Sequence, residues 1–414
     1  MNNCSTSPMQ LLLLGAFSLT LFLAASTPLQ NGILFQQEGN FETLMERVLN
    51  EKTFAFVHTT WNGCAPCNVL EQSLYPNPEV GRFYNDNFIN YRLNIDRTEY
   101  FNIANILNLG NNAALLYFEP NGQLIKKTEN IRTPDDLISS AKEVMHLQER
   151  TPANRQKLEN LFRKASNELA SPQELYECAY LLKTFNQPCS AIVNQYLQTQ
   201  TDEELSSPEN VSFIYDFLDN VETRAVDYML ADISYYKLRY GAVLNEKLTI
   251  ALYNSLRIAV HQRDDKIFQK IMMVIHNANL PHTEDLLYFF KAQYYENTKS
   301  FEKFAAITNT YVKQKGADNP QLLVILAEKY FLYMNEGSYF KQALEWVNQA
   351  IKIDGANYRK NLIKARLLRK TDKNCENALA VALEARNAAE IENIDTKEVD
   401  DLIFSIKNYG CEAR

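Results

Sequence analysis

The feature that most constrains this chain is a stretch from residue 154 to the end in which no segment has the pattern of a strand. Apolar residues recur there at spacings of three and four, which places them on one face of successive helices. Short breaks interrupt this pattern at residues 171–172, 186–188, Gly241, Pro281, Gly316, Gly337, Gly355 and Asp372. The pattern predicts a stack of helical hairpins over more than half of the chain.

A repeat becomes visible towards the end of this stretch. Residues 342–344 (QAL) and 377–379 (NAL) lie 35 positions apart, as do Ala350 and Ala385. With the aromatic and small residues between them, residues 320–390 resemble tetratricopeptide repeats, whose period is 34 residues. We therefore interpret 321–414 as tetratricopeptide-like hairpins. In residues 151–320 the spacings drift, so that an irregular helical domain stays an alternative to a repeat array there.

The segment before residue 150 has a different pattern. Runs rich in β-branched and aromatic residues alternate with amphipathic segments, and Pro-Asn-Gly at 120–122 has the composition of a tight turn. We predict helices at 41–50, 64–74, 99–109 and 133–149, and strands at 53–60, 89–95, 114–118 and 124–129. This order, α-β-α-β-α-β-β-α, indicates an α/β domain over residues 27–150. The 12 glycines of the chain are too few for an all-β fold.

The motif WNGCAPC at residues 61–67 is the strongest chemical signal. A Cys-x-x-Cys pair is either a metal-ligand pair or a redox pair. Zinc usually requires four ligands, and no second close pair follows, because the five histidines are scattered. The motif follows a predicted strand and opens a predicted helix, where unpaired N–H groups and the helix dipole stabilise a thiolate. The context favours redox chemistry, with a metal site or an inert pair as the alternatives.

Around this motif, residues 41–146 resemble the thioredoxin superfamily, especially its exported bacterial members. The resemblance rests on the motif itself, Leu70-Glu71, NPEV at 77–80, NYRLNID at 90–96, and LLYF at 115–118 before the turn. It implies an α/β thioredoxin-like domain, so that with the helical pattern after residue 150 the expected fold is this domain followed by an all-α helical-repeat domain. It also implies that Cys64, the more exposed cysteine, attacks as a thiolate and that Cys67 resolves the mixed disulfide.

The chain departs from the family pattern at three positions. Gly63 precedes the first cysteine where the family usually has Trp, and Trp61 lies three before it. His58 replaces a buried Asp, either as a general base with a near-neutral pKa or as a residue packed on its strand. Ala113 stands where a cis-proline is usual, and we expect a trans bond because a non-proline cis bond costs ~3 kcal/mol.

The resemblance further implies a substrate groove lined by Trp61, Pro66 and Ala113. Because the usual proline shapes this groove and keeps metals off the thiols, its loss weakens the expectation of ordinary reductase activity. It strengthens the metal-binding and non-catalytic alternatives.

Residues 1–26 have the pattern of a signal peptide. Residues 11–25 are uncharged and largely apolar, too short for the ~20 residues of a membrane-spanning helix, and end in small residues. The missing positive charge in residues 1–10 leaves an uncleaved membrane anchor as the alternative. Loss of Cys4 with the signal would leave six cysteines, an even number. We expect export, to the periplasm in a bacterium.

Two further cysteine pairs are candidates for disulfides. Cys375 opens one predicted helix (376–391) and Cys411 follows the next (396–409), so an antiparallel pair would join them in a disulfide worth ~3–4 kcal/mol. Cys178 and Cys189 flank a turn and also have the potential to pair, although Cys178 sits two turns from it. The alternative for both pairs is that the cysteines are buried free thiols.

The net charge of −8 gives no basic footprint for nucleic acid. From the Cys-x-x-Cys motif and the family resemblance, we expect an oxidoreductase without a cofactor or metal. It would act on disulfides or thiols of exported proteins and be served by a thiol electron donor. The helical repeats would bind a protein partner. The alternatives are a scaffold with a degenerate thioredoxin-like module, and a thiol metal site.

Overall fold

A computed structural model describes residues 32–36, 40–109, 113–129, 131–146, 149–372 and 375–411. It contains a small four-stranded mixed sheet with helices, followed by an all-helical region. The predicted signal peptide and its cleavage site lie outside the described residues. No helix in the described part of the chain is long and apolar enough to cross a membrane.

The sheet has the strand order β2-β1-β3-β4. Its strands are β1 (Phe54–Thr60), β2 (Phe88–Asn94), β3 (Leu115–Phe118) and β4 (Leu124–Thr128). β1 pairs with β2 in parallel, Phe54 opposite Phe88, and with β3 antiparallel, Ala55 opposite Phe118. β3 and β4 form an antiparallel hairpin. All four strands were predicted to within a residue or two.

Five helices accompany the sheet: α1 (Phe41–Glu51), α2 (Ala65–Val69), α3 (Pro78–Asn87), α4 (Phe101–Ile106) and α5 (Pro134–Met145). A π-helical turn (Leu70–Leu74) extends α2, and a 3₁₀ turn (Thr98–Tyr100) precedes α4. α5 begins with a capping box in which Thr133 and Asp136 bond each other's backbone N–H. The sequence interpretation missed α3, although Asn77 caps it and Pro78 occupies its first turn.

Sixteen further helices follow in the described residues. They are α6 (Pro152–Ser166), α7 (Pro172–Thr184), α8 (Ser190–Gln198), α9 (Asp202–Leu205), α10 (Pro208–Asp216), α11 (Arg224–Ala231), α12 (Ile233–Tyr240), α13 (Ala242–Gln262), α14 (Asp265–Ala278), α15 (Thr283–Asn297), α16 (Phe301–Tyr311), α17 (Pro320–Tyr333), α18 (Gly337–Asp354), α19 (Tyr358–Thr371), α20 (Glu376–Ile391) and α21 (Lys397–Tyr409). From α17 onward each helix packs on the next.

The two faces of the sheet belong to different cores. Ala55 and Val57 of β1 point into a core that continues through α1 and α4 into the helical region. Phe54 and Phe56, on the alternate face, pack with both cysteines of the Cys-x-x-Cys motif and with α3 and α5. The sheet therefore rests on the helical region through one face and carries the cysteine pair on the other.

A buried ion pair of the helical region also binds α4 of the sheet region. Lys329 of α17 is fully buried, and its Nζ lies 2.5 Å from Glu296 Oε2 of α15. Asn102 of α4 donates to the same carboxylate at 3.0 Å, and Tyr333 donates to its other oxygen at 2.8 Å. Removing one partner of such a pair leaves an uncompensated buried charge. This network fixes how α4 sits on the helices.

Candidate redox site

The cysteine pair lies where β1 passes into α2. The structure joins Cys64 and Cys67 in a disulfide with a Cα–Cα distance of 5.3 Å. Cys64 is the N-cap residue of α2, and its Sγ accepts a hydrogen bond from the Cys67 N–H at 3.1 Å. Because this N–H is unpaired within the helix and lies at its positive end, it would stabilise a thiolate on Cys64 after reduction.

Both cysteines are nearly buried. Cys64 is 5% exposed and Cys67 is 4% exposed, so the expected difference in exposure between them is absent and that expectation is wrong. The capping position is the reason, because it turns the Cys64 sulfur back over the first turn of α2. The residues on either side, Gly63, Ala65 and Pro66, are exposed. The disulfide therefore lies directly beneath the surface.

The floor of the site is formed by the end of β1 and the start of β3. Cys67 Sγ lies 3.6 Å from the carbonyl oxygen of Thr59. The Thr59 N–H donates to the Ala114 carbonyl at 2.9 Å, and the Ala114 N–H donates to Thr59 Oγ1 at 3.0 Å. Ala113 is buried in the same core as both cysteines. Asn112 lies outside the described residues, so the trans bond before Ala113 stays a prediction.

The remaining residues of the expected groove lie at the rim. Trp61 is partly buried against the core that holds the cysteines, and its carbonyl accepts from the Cys64 N–H at 3.1 Å. Pro66 is exposed in the first turn of α2. Trp61 and Ala113 thus share the core of the disulfide, and Pro66 lies between the two cysteines along the chain.

His58 lies on the same face of β1 and is fully buried. Burial, and secondarily the charge of Arg92, lowers its pKa to about 3. The near-neutral pKa expected of a general base is therefore wrong, because the ring has lost its water without gaining a close acceptor. Neither ring nitrogen has a hydrogen-bond partner among the described residues, and the ring packs on Tyr75 with centroids 5.3 Å apart. His58 is a neutral packed residue.

A charged pair borders His58. Glu71, in the π-helical turn, places Oε1 4.0 Å from His58 Nδ1 and 2.9 Å from Arg92 Nε. The Arg92 guanidinium stacks 4.0 Å from the centroid of the Phe35 ring. The sequence interpretation quoted Glu71 and Arg92 only as parts of motifs. Their pairing depends on the π-helical turn, which has no clear sequence signal.

Asp96, which follows β2, hydrogen-bonds to the loop before Cys64. The Asn62 N–H donates to Asp96 Oδ2 at 2.8 Å. Arg359 at the start of α19 donates to the Asp96 carbonyl at 3.3 Å and also hydrogen-bonds to Thr98 Oγ1. A residue of the helical region thus contacts the segment that positions the cysteine loop. Sequence reasoning missed this link, because Arg359 lies far away along the chain.

The other cysteines are distributed differently. Cys375 and Cys411 form a disulfide with a Cα–Cα distance of 5.5 Å, and it joins the start of α20 to the end of α21. Cys178 and Cys189 are free thiols, so the pairing considered for them is wrong. Cys178 is fully buried in the middle of α7, whereas Cys189 precedes α8 and borders a cavity. Burial raises the pKa of Cys178 to about 11 and that of Cys189 to about 12.

Within the described ranges, no three His, Cys, Asp or Glu side chains group as a metal site. No protein-family model matches the chain, and no curated protein matches its sequence. What the site does is therefore inferred from its geometry.

Proposed function

We propose that the chain is an exported thiol–disulfide oxidoreductase with a thioredoxin-like domain, acting through Cys64 and Cys67. The observation that carries the proposal is the hydrogen bond from the Cys67 N–H to Cys64 Sγ at the start of α2. A sulfur that caps a helix has its thiolate stabilised, and a low thiol pKa is what makes a cysteine both an attacking and a leaving group.

In the proposed reaction the Cys64 thiolate attacks a client disulfide. The client S–S bond breaks, a Cys64–client disulfide forms, and one client sulfur leaves as a thiolate. Cys67 then loses its proton to solvent or to that leaving thiolate, and its sulfur attacks Cys64 Sγ. The second client thiolate leaves, the client has gained two electrons, and the Cys64–Cys67 disulfide is restored. An external dithiol donor returns the pair to its reduced form.

In this proposal His58 does not accept the proton of Cys67. A histidine whose pKa is about 3 binds a proton weakly at neutral pH and is a poor base for Cys67. The Thr59 carbonyl, 3.6 Å from Cys67 Sγ, offers an acceptor for the reduced thiol's S–H. We assign His58 the role of filling the core behind the disulfide.

The helical region, tetratricopeptide-like in its last part, supplies the client-binding surface in this proposal. Arg359 links the start of α19 to the segment that holds the cysteine loop, so a protein bound at this end of α19 would lie beside that loop. Helical repeat stacks present extended surfaces suited to this task.

A second function is favoured by one observation, the burial of both cysteines. A disulfide that no partner sulfur reaches would be structural, and the chain would then be a scaffold with a degenerate thioredoxin-like module. In that case the helices alone would carry the function.

Trapping separates the two functions. A Cys67→Ser variant of the full chain leaves Cys64 without its resolving partner, so it should accumulate mixed disulfides with disulfide-bonded clients. A Cys64→Ser variant should accumulate far fewer, and Cys375→Ser is a control for cysteine loss elsewhere. Equal trapping by the Cys67→Ser and Cys64→Ser variants would favour the scaffold.

A further inference from the structure

A cavity separate from the cysteine pair lies between the β3–β4 hairpin and the helical region. Its volume is about 510 Å³, within the range of small-molecule sites. One wall is the turn at Gly122, a second is the segment between α7 and α8, and a third is one face of α13. Pockets where two structural regions meet are frequent ligand sites.

The cavity carries an excess of positive charge. Lys183 of α7 and Lys247 of α13 both approach the single carboxylate of Asp219, at 3.2 and 3.4 Å. Arg257 of α13 adds a third cation. The remaining acid, Glu119, has its pKa raised to about 7 by burial and by Asp219, so it is only partly ionised at neutral pH. These four side chains and Asp219 leave the cavity with a net charge between about +1 and +2.

Arg257 is the unpaired member of this set. Its side chain is partly buried, yet it donates no hydrogen bond and forms no ion pair to any residue that the structure describes. Burial lowers the pKa of Arg257, which expresses the cost of holding this charge away from water, and the nearby Tyr253 and Glu42 offset that cost only in part. Its Nη2 lies 3.0 Å from where a Cβ on Gly122 would sit, so the glycine gives the guanidinium its room. A planar fork of five donors left free in a cavity is suited to a carboxylate or a phosphate.

A second unpaired group lines the same cavity. Both side-chain polar atoms of Asn186, in the segment between α7 and α8, are buried without a hydrogen-bond partner in the described chain. Buried polar atoms of native proteins are nearly always paired, so an unpaired amide beside a cavity indicates a group that enters it. The other walls include Leu49, Ile125 and Ile258, which suit an apolar body.

We propose that this cavity binds a small organic anion, with an apolar body against Leu49, Ile125 and Ile258 and an oxyanion on Arg257. The oxyanion is a carboxylate or a phosphate, which share the geometry that the guanidinium recognises. The site is distinct from the cysteine pair, because neither Cys64 nor Cys67 lines the cavity.

Calorimetric titration of the full chain with octanoate, octyl phosphate and 1-octanol tests the proposal. At least one anion should bind at least 10-fold more tightly than octanol, and which anion binds better identifies the oxyanion. Arg257→Met should weaken anion binding at least 10-fold. Arg257→Lys, which keeps the charge and loses the fork, should bind between the two, and exposed Arg82→Met should bind like the wild type.

A readout without a variant covers the case in which Arg257→Met does not fold. Cys189 borders the cavity, so the bound anion should slow maleimide labelling of Cys189 at least threefold and leave the fully buried Cys178 unchanged. The proposal is overturned if neither anion binds, if octanol binds equally well, if a folded Arg257→Met variant retains full affinity, or if a bound anion leaves Cys189 labelling unchanged.

Discussion

The two disulfides of the described chain have similar Cα–Cα distances, 5.3 and 5.5 Å, but very different places in the fold. Cys64–Cys67 spans three positions at the start of one helix. Cys375–Cys411 spans 36 positions and joins the two ends of the α20–α21 pair, where both cysteines are partly exposed. One bond is local and almost buried, and the other closes a long loop at the surface.

Loop length determines what each bond contributes to stability. By the loop-closure relation, a bond across 36 positions stabilises the fold by about 4 kcal/mol and one across three by about 2 kcal/mol. The C-terminal bond is thus explained by stability alone. The short bond contributes less and occupies the helix start, where a thiolate is favoured, so its position agrees with the proposed exchange chemistry.

The largest expected effect comes from removing the long bond. Cys375→Ser/Cys411→Ser should cost about 4 kcal/mol, confined to the helices that the bond closes. Amide exchange should show protection in α20 and α21 falling about 10³-fold, with α6 to α12 unchanged. If α20 and α21 kept their protection, the stabilising role of this bond would be contradicted.

The next largest effect is a loss of folding stability at acid pH, caused by His58 in the core beside the short bond. His58 has its pKa lowered to about 3 by burial, against 6.5 in the unfolded chain, so the unfolded state binds the extra proton as pH falls. Stability is full above pH 6.5 and is lost below it, by about 3 kcal/mol between pH 6.5 and 4. Urea unfolding followed by Trp61 fluorescence, in a Trp346→Phe background, measures this loss.

His58→Gln should flatten that pH profile, and exposed His276→Gln should leave it as in the parent. An unchanged slope in the His58→Gln variant would mean that another group causes the acid sensitivity.

Removing the short bond should have a smaller effect on stability. Cys64→Ser/Cys67→Ser should lower the free energy of unfolding by about 2 kcal/mol, because few denatured conformations are removed by so small a loop. The same fluorescence assay under oxidising conditions provides the value. A loss equal to that of the long bond would remove the contrast between the two disulfides.

The smallest effect is expected in the loop before Cys64. Gly63 has a φ of +80° with open space around it, so Gly63→Ala should cost about 1 kcal/mol through backbone strain alone. Gly337→Ala is the matched control, since Gly337 also meets open space and has no positive φ. Equal melting temperatures for the two variants would indicate that the loop relaxes freely.

Local patterns were enough to predict the four strands and most helices of the α/β region, with α3 as the exception. Runs rich in β-branched and aromatic residues located the strands, and the helices of the C-terminal disulfide were predicted within one residue of Glu376–Ile391 and Lys397–Tyr409. Where tertiary packing decides, prediction was weaker. The helix predicted over 64–74 changes to a π-helical turn at Leu70, and the one predicted over 99–109 is shortened to α4.

The residues of the site could be predicted from the sequence, but their pKa values and their contacts with distant residues could not. The motif at 61–67 identified the disulfide, because spacing at a strand–helix boundary is a local property. The low pKa of His58 and the unpaired Arg257 depend on neighbours that are distant along the chain. No local pattern encodes them.

The reduction potential of Cys64–Cys67 tests the central claim most directly, with Cys375–Cys411 in the same molecule as the internal reference. The full chain is equilibrated in dithiol redox buffers, alkylated, and each pair is quantified by mass spectrometry. We predict a potential for Cys64–Cys67 between about −270 and −120 mV, as in disulfide exchange proteins, and one below about −300 mV for Cys375–Cys411. A Cys64–Cys67 potential below about −300 mV would mark it as structural and contradict the oxidoreductase proposal.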